Sequence, residues 1–368
     1  MRLLSLTLES FRSYGSLELH FPEQEHVTIL LGENATGKTN VLEAIAILAL
    51  LSSPRDSEEA DLVQWEKKHY RIQGTCRSDD AEEKKLEVVS QIEPRRQRAC
   101  FVNGVRTPSN RYVGTLPIVT FMPDDLLLFT GPPAMRRRLL DTLLRQVSPT
   151  YEQALSEYDR AIKQRNALLH AIAEGLERPM MLAVWDEKLA SCGAIITNER
   201  LQLFATINMT LKSELHLLGE RCREACFTYI RKGEATDESV LREELLSLLS
   251  HYRERDLLTQ TTTVGPHRDD WSLLFEGRDI ATSASRGEQR AAVLALLLLQ
   301  ASFLEMRKGE KPLLLLDDIF SELDEHHRKA VLTALSRSQV LLTAVQVDPM
   351  MREKARVVAC PLDTSALS

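Results

Sequence analysis

Alternation of apolar and polar residues dominates the first third of the chain. Residues 1–8 read MRLLSLTL, with apolar side chains at nearly every second position, which is typical of a strand with one buried face. Similar patterns predict further strands at 17–21, 27–31, 70–75, 86–92 and 99–102. The dipeptide Asn103-Gly104 predicts a hairpin turn because both residues tolerate positive φ, and the charged run 78–85 predicts another exposed turn. The region up to about Phe121 is therefore predicted to be mainly β-structure.

A helical period replaces this alternation from about Pro132 to Asp256. Apolar residues recur three to four positions apart, as in the stretch 139–144. Pro149 and Pro179 interrupt the pattern and mark expected helix boundaries. No heptad is sustained, so the pattern favours a packed helical bundle over a long coiled coil.

Strand patterns return after about residue 258. They predict strands at 261–264, 271–275, 312–316 and 340–345. A domain that starts, is interrupted and then resumes accounts for this order. We therefore predict a discontinuous α/β domain formed by residues 1–128 and 258–368, with an all-helical domain inserted at 129–257.

Composition is that of an ordinary globular protein, with 43% hydrophobic and 27% charged residues among 368. The longest apolar stretch, 291–299, is shorter than the roughly 20 residues that span a bilayer. The start of the chain reads as a strand, without the apolar core of a signal peptide. We expect a cytoplasmic protein with reduced cysteines, although Cys222 and Cys226 would share a helical face as half of a metal site.

The formal net charge of −7 argues against DNA binding through bulk positive charge. A local basic patch can still act within a Debye length of about 10 Å. The arginine clusters at 95–98 and 136–138 are candidates for such a patch, and solvated surface is the alternative for each. Any DNA affinity of a lone subunit should be modest and dependent on salt.

A phosphate-binding loop follows the strand predicted at 27–31. It matches G-x-x-x-x-G-K-[ST] and consists of Gly32, Glu33, Asn34, Ala35, Thr36, Gly37, Lys38 and Thr39. A predicted helix starts at Asn40, so the loop has a strand before it and a helix after it. Backbone N–H groups and the helix N-terminus suit phosphate oxygens, Lys38 suits the β- and γ-phosphates, and the Thr39 hydroxyl suits Mg²⁺. We expect ATP and Mg²⁺ as the ligands.

An acidic motif that could form the second half of the nucleotide site lies about 280 residues after the phosphate loop. There the apolar run 313–316 ends in Asp317 and Asp318. At a strand end beside a phosphate loop, Asp317 would hold Mg²⁺ and Asp318 would orient the attacking water. On its own the motif could equally be a buried strand followed by a solvated turn. A small kinase or GTPase places both halves within one compact domain, so this separation requires a fold with a large insertion.

The segment 285–290, read as SRGEQR before a predicted helix at 291–303, resembles the signature of ABC ATPases. Ser285, Gly287 and Glu288 match the signature, while Arg286 replaces its first glycine. In that family the signature grips the γ-phosphate of a nucleotide held by another subunit. The resemblance implies a fold of the ABC-ATPase, SMC-head type and an ATP-dependent homodimer.

The chain as a whole resembles the RecF family of bacterial DNA replication and repair proteins. Segments that carry the resemblance are 11–14 (FRSY), 37–45 (GKTNVLEAI), 121–126 (FMPDDL), 136–138 (RRR), 163–169 (KQRNALL), 185–186 (WD) and 264–270 (VGPHRDD). The resemblance implies dimerisation on DNA at gaps or junctions between single and double strands. It also implies cooperation with RecO and RecR in loading RecA, and a D-loop at 321–324 that puts Asp324 at the dimer interface.

The sequence departs from the wider superfamily at several positions. The segment 339–345 lacks the switch histidine, and no glutamine stands near Met122, where Asp124 or Asp125 would substitute. Asp318 is shorter than the usual glutamate. These departures predict slow hydrolysis, with ATP acting more as a switch than as fuel. We also expect DNA to stimulate the ATPase.

Two further arginines, Arg12 and Arg55, are candidates for contacts on the phosphate or adenine side of the nucleotide, with exposed surface as the alternative for each. Three other functions compete with the main interpretation. A transporter ATPase does not explain the long insertion, and a nucleotide kinase does not explain a signature helix. An SMC-like DNA clamp or scaffold that uses ATP only as a structural switch stays open.

Overall fold

Two compact units make up the protein, for which a computed structural model describes residues 1–55, 57–217, 224–321, 338–347 and 355–360. The first unit comprises Met1–Leu127, Glu214–Glu220 and Arg286–Ser368, and the second comprises Leu128–Ser213 and Arg221–Ser285. A discontinuous arrangement was expected. The return to the first unit, however, comes at Arg286 and not at residue 258.

The strands, in chain order, are β1 (Arg2–Phe11), β2 (Tyr14–His20), β3 (Val27–Leu31), β4 (His69–Arg77), β5 (Glu83–Gln91), β6 (Gln97–Val102), β7 (Val105–Arg106), β8 (Ile118–Phe121), β9 (Ala225–Ile230), β10 (Asp270–Phe275), β11 (Arg278–Asp279), β12 (Leu313–Leu316), β13 (Val340–Ala344) and β14 (Arg356–Ala359). The turn between β6 and β7 contains Asn103 and Gly104 at φ 52° and 77°, as the sequence predicts.

The helices are α1 (Lys38–Leu50), α2 (Glu59–Leu62), α3 (Ser109–Tyr112), α4 (Pro133–Val147), α5 (Pro149–Ala173), α6 (Leu182–Leu217), α7 (Glu238–His251), α8 (Arg253–Thr259), α9 (Ile280–Ser283) and α10 (Arg286–Lys308). Short 3-10 turns lie at Pro123–Leu127, Pro179–Met181 and Ile319–Ser321. Pro149 begins α5 and Pro179 begins a 3-10 turn, in agreement with their predicted role as helix boundaries.

Two sheets form the described part of the first unit. One is antiparallel, in the order β2-β1-β4-β5-β6-β7, and the other is parallel, in the order β14-β3-β13-β12-β8. Helix α1 packs against both sheets and is buried on nearly all sides, because its sequence VLEAIAILAL has no polar stripe. The carboxyl ends of β3 and β12 lie on the same side of the parallel sheet, with β13 between the two strands.

Helix α10 starts the return of the chain to the first unit. The whole helix is long and apolar enough to cross a membrane by length and composition alone, yet most of its apolar part is buried within the protein. Every residue of Ala291–Leu299 is buried. The stretch is therefore explained by the core of the first unit.

The second unit is mainly helical, but it also contains strands and is therefore not the all-helical domain that the sequence predicts. Strand β9, within the predicted insertion, pairs with β10, and β10 pairs with β11, in an antiparallel sheet. This pairing ties residues 258–285 to the second unit and moves the boundary to Arg286. Residues 261–264 form no strand, and Cys226 lies on β9 and not on a helix, while Cys222 lies outside the described residues.

A buried ionic network links distant segments of the second unit. Arg165 on α5 is fully buried and donates to Asp186 and Asp256, both at 2.7 Å, and to Thr262 at 2.9 Å. Buried charges are tolerated only when they are paired and hydrogen-bonded in this way. The segments 163–169, 185–186 and 256–262 therefore meet in one polar core.

Candidate nucleotide-binding site

The loop between β3 and α1 has the backbone shape of a phosphate loop. Gly37 has φ 92° and immediately precedes α1, and Ala35 has φ 65°. A Cβ atom at Gly37 would lie 2.5 Å from the Tyr14 hydroxyl oxygen, so both the backbone and its neighbour require glycine there. The loop thus brings its N–H groups to the N-terminus of α1, an arrangement that suits an anion.

Lys38 extends back across this loop. Its ammonium donates hydrogen bonds to the carbonyl oxygens of Gly32 and Glu33, both at 2.6 Å. Only 7% of the residue is exposed. The positive charge is therefore held at the phosphate loop, with one of its three N–H groups outside these two contacts.

Thr39 and Asp317 join the two halves of the site. The Thr39 hydroxyl lies 2.9 and 3.1 Å from the two carboxylate oxygens of Asp317. Because β3, β13 and β12 are parallel, their carboxyl ends bring the loop and the acidic strand end to one edge. A hydroxyl beside a carboxylate is the oxygen donor set that Mg²⁺ prefers, so these residues fit the ion.

Thr343 on β13 is a part of this site that the sequence did not predict. Its hydroxyl donates to Asp317 Oδ1 at 2.7 Å and accepts the backbone N–H of Asp318 at 2.9 Å. Asp318 has φ 46°, an uncommon value that this contact supports. A threonine near the end of the strand beside β12 is the feature of the sequence that could have indicated this role. Within the sequence, the segment 339–345 attracts attention only because it lacks the switch histidine.

Arg12 and Arg55 meet at one buried carboxylate. Arg12 donates to both oxygens of Glu43, at 2.8 and 2.9 Å, and Arg55 lies 3.8 Å from Glu43 Oε2. The Arg12 side chain is 19% exposed and that of Arg55 is 45% exposed. Next to Arg12, Ser13 accepts a hydrogen bond from the Asn40 amide at 3.0 Å. The two arginines and Asn40 are thus brought together beside the first turns of α1.

The two aspartates near Met122 differ in their surroundings. Asp125 accepts the backbone N–H of Met122 at 2.7 Å and so closes its own turn, whereas Asp124 is exposed. Asp125 therefore has a local structural role in addition to any role at the nucleotide.

The signature motif lies at the start of α10, which begins at Arg286 and not at residue 291. Ser285 immediately precedes this helix, and Ser285, Gly287 and Glu288 are all exposed. The boundary between the two units falls between Ser285 and Arg286. Asp324 lies outside the described residues.

The two arginine clusters proposed for DNA differ sharply in exposure. Arg136 is buried, donates to both carboxylate oxygens of Asp270 at 2.7 and 2.8 Å, and also binds backbone carbonyls, so it is a structural residue and not a DNA contact. Arg98 pairs with Glu59. Arg95 and Arg96 are exposed in the turn before β6.

A parallel sheet with a phosphate loop and an acidic strand end, combined with an antiparallel sheet and a signature helix, defines an ATPase head of the ABC type. The model of the RecF/RecN/SMC N-terminal domain matches residues 2–364. The chain is 38% identical over 361 residues to the DNA replication and repair protein RecF of Symbiobacterium thermophilum, covering 95% of this chain and 93% of that one. It is 34% identical over 354 residues to RecF of Halalkalibacterium halodurans, covering 95% and 94%.

The comparison with solved structures also indicates similarity to RecF. A structure of the recombination mediator protein RecF with ATP, described within the RecFOR pathway, matches with a TM-score of 0.86 and 32% identity over 94% of this chain and 92% of that one. The Smc head domain of Pyrococcus furiosus shares the fold, with a TM-score of 0.53 and 16% identity over 98% of this chain and 94% of that one. The chain belongs to the RecF family, and the predicted fold class is confirmed.

Proposed function

We propose that this protein is an ATP-dependent DNA-binding protein of recombinational repair and replication-gap processing. The observation that carries the proposal is the contact of Thr39 with Asp317, which joins the phosphate loop to the acidic strand end. The similarity to a RecF structure with ATP supports the same ligand. ATP would supply the triphosphate, and Mg²⁺ would supply positive charge that offsets the charge of the phosphates.

Different residues of the chain have different roles in binding ATP and Mg²⁺. The backbone of Gly32–Thr39 and Asn40 binds phosphate oxygens, and Lys38 neutralises part of their charge. Thr39 and Asp317 would hold the cation, and Asp318 would orient the attacking water. Arg12 and Arg55 add positive charge on the side of Glu43. The short reach of Asp318 favours slow hydrolysis, so ATP acts mainly as a switch.

A second copy of the protein completes the site in this proposal. Ser285, Gly287 and Glu288 of one subunit bind the γ-phosphate side of the nucleotide held by the other, and Asp324 contributes to the same interface. Exposure of the signature at the start of a long helix supports such a role, because the dipole of a helix gives its N-terminus a partial positive charge that attracts an anion. ATP binding then drives dimerisation, and hydrolysis reverses it.

DNA and partner proteins are bound by this dimer. The RecF relatives are named for DNA replication and repair, and the RecF structures are described within the RecFOR pathway. We propose that the dimer acts in the cytoplasm at gapped or junction DNA, with RecO and RecR, to help load RecA. Exposed Arg95 and Arg96 are candidate phosphate contacts, and a dimer would present two such local basic patches although each chain carries a net charge of −7.

Sedimentation with and without nucleotide tests the proposal. Wild-type protein should be monomeric without nucleotide or with ADP and dimeric with ATP, whereas Lys38→Met should stay monomeric in all three. ATP-dependent dimerisation of the Lys38→Met variant would argue against the assigned site.

An SMC-like clamp or scaffold outside this pathway, using ATP only as a structural switch, is the alternative. The departures at Asp318 and at the missing switch histidine favour it in part. Phosphate release measured with gapped DNA separates the two, since turnover no faster than that of Lys38→Met would favour the scaffold.

A further inference from the structure

Glu43 is an unusual residue for its position. It lies in α1, five residues after Lys38, where its neighbours in the chain are apolar, and its side chain is fully buried. A carboxylate in such a place costs several kcal/mol unless charged and polar partners compensate it. The residues that contact Glu43 therefore indicate why a carboxylate is present in this helix.

Four side chains converge on this carboxylate from outside the helix. Oε1 accepts from Ser53 at 2.6 Å, from Ser57 at 2.9 Å and from Arg12 at 2.8 Å. Oε2 accepts from Arg12 at 2.9 Å and lies 3.8 Å from Arg55. Burial alone would raise the pKa of Glu43, but the hydrogen bonds from Arg12, Ser53 and Ser57 hold the pKa below its usual value. The carboxylate is therefore ionised, and its two oxygens together accept four hydrogen bonds.

Arg12 is fixed almost completely by this arrangement. It also donates to the Asp61 carbonyl at 2.9 Å and to the Ser57 hydroxyl, so four of its five N–H groups have described acceptors. Its own backbone has φ 52° and donates to the Leu62 carbonyl at 2.9 Å. One N–H group and part of the guanidinium surface remain for another anion.

Arg12 also begins the turn that contacts the phosphate loop. Ser13 accepts from Asn40 at 3.0 Å, and the Tyr14 hydroxyl packs where Gly37 has no side chain. Glu43 lies one helical turn beyond Asn40, so the turn is attached to α1 at two successive levels. Arg55, held more loosely at 45% exposure, lies on the same carboxylate.

We infer that Glu43 is a positioning residue of the nucleotide site: it holds Arg12 and Arg55 beside the phosphate loop, where they bind the anionic part of a nucleoside triphosphate. Without this carboxylate the two guanidinium groups would repel each other and lose their common anchor. The inference rests on the proposed function, because it concerns the affinity for ATP. It assigns Glu43 no contact with the nucleotide itself.

A double-mutant cycle on ATP binding tests the inference. Glu43→Gln keeps the shape and removes the charge, and the combined Arg12→Ala/Arg55→Ala variant removes the groups it positions. We expect each to weaken ATP binding about tenfold, and the triple variant to bind no more weakly than the arginine variant. Unchanged affinity of Glu43→Gln, or a full additional loss in the triple variant, would overturn the inference.

Glu152→Gln is a matched control. Glu152 is 5% exposed and pairs with Arg145 through two contacts, but it lies in the second unit. It should lower the unfolding temperature in the way that Glu43→Gln does and leave ATP affinity unchanged. An equal loss of ATP affinity in both variants would mean that Glu43 acts only through stability.

Two further comparisons make the result decisive. If Glu43→Gln does not fold, Ser53→Ala/Ser57→Ala keeps the carboxylate but removes two of its donors, and should weaken ATP binding several-fold; unchanged affinity would count against the inference. Wild-type protein that binds no ATP would overturn the proposed function. Loss of binding in Lys38→Met together with wild-type affinity in Glu43→Gln would overturn the inference alone.

Discussion

Thr39 donates its hydroxyl hydrogen to the carboxylate of Asp317, 2.9 Å from one oxygen and 3.1 Å from the other, although the two residues lie 278 positions apart. The contact exists because both ends of the chain build one parallel sheet, in which β13 separates β3 from β12. A separation of this size requires a large insertion between the two halves of one domain. The site is therefore a product of the discontinuous fold.

Thr343 should control how well Asp317 works. Thr343→Val removes the hydroxyl that binds Asp317 and supports the Asp318 backbone, while keeping the side-chain volume. We expect ATP turnover to fall by about 10- to 100-fold, the usual effect of removing a group that orients a metal ligand. Thr343→Ser, which keeps the hydroxyl, should retain most of the activity. Full activity of the valine variant in a steady-state phosphate-release assay would contradict this role.

Two titratable groups in the second unit, the half-buried His267 and the buried Asp269, should oppose each other in the pH dependence of stability. Burial lowers the pKa of His267 from 6.5 to about 4, so the unfolded state binds more protons and the His267 contribution to stability falls as pH drops through this range. Burial raises the pKa of Asp269 from 3.8 to about 6, so the folded state binds more protons and the Asp269 contribution falls as pH rises through that range.

The Asp269→Asn variant separates the two effects. The introduced amide oxygen can still accept the hydrogen bond from Tyr229, which is 2.8 Å long in the wild type. Relative to the wild type, the free energy of unfolding of the variant should rise between pH 4 and pH 6, by on the order of 3 kcal/mol. Denaturant unfolding at several pH values measures it. Parallel curves for the two proteins would show that Asp269 has no such contribution.

Arg95 and Arg96 should act on DNA affinity and not on stability. Replacing both with alanine should weaken binding to gapped duplex in the presence of ATP and lower the salt dependence by about two phosphate contacts. The unfolding temperature should be unchanged because both side chains are exposed. Fluorescence anisotropy over a salt series provides the measurement. An unchanged salt slope would remove these arginines from the DNA surface.

Arg136→Ala is the contrasting variant. Removing its side chain should destabilise the second unit by about 2–3 kcal/mol, since the partly exposed Asp270 carboxylate loses its charged hydrogen-bond partner. A variant with wild-type stability and weaker DNA binding would restore Arg136 as a DNA contact.

Local patterns predicted the elements well where one signal dominated. The phosphate loop and the strand ending in Asp317 follow from motif and apolar run, and the RecF segments indicated the family. Burial of Arg136 could not be predicted, because its partner Asp270 lies 134 residues away and three adjacent arginines look like an exposed surface. The boundary at Arg286 depends on the pairing of β9 with β10, which no local pattern reveals.

Thr343 shows a second limit of sequence reasoning. A threonine in an apolar strand is ordinary, and its role appears only when β13 is placed between β3 and β12. The same holds for Glu43, whose partners Arg12, Ser53 and Ser57 come from separate segments.

The central claim, that two subunits share each nucleotide, is tested most directly by mixing two inactive variants. Lys38→Met disables the phosphate loop, and Ser285→Arg disables the signature. In a mixed dimer one site carries both substitutions and the other carries none. The account predicts that ATP turnover, nearly absent in each variant alone, reappears on mixing. Continued absence of turnover, with mixed dimers demonstrated by sedimentation of differently labelled subunits, would contradict it.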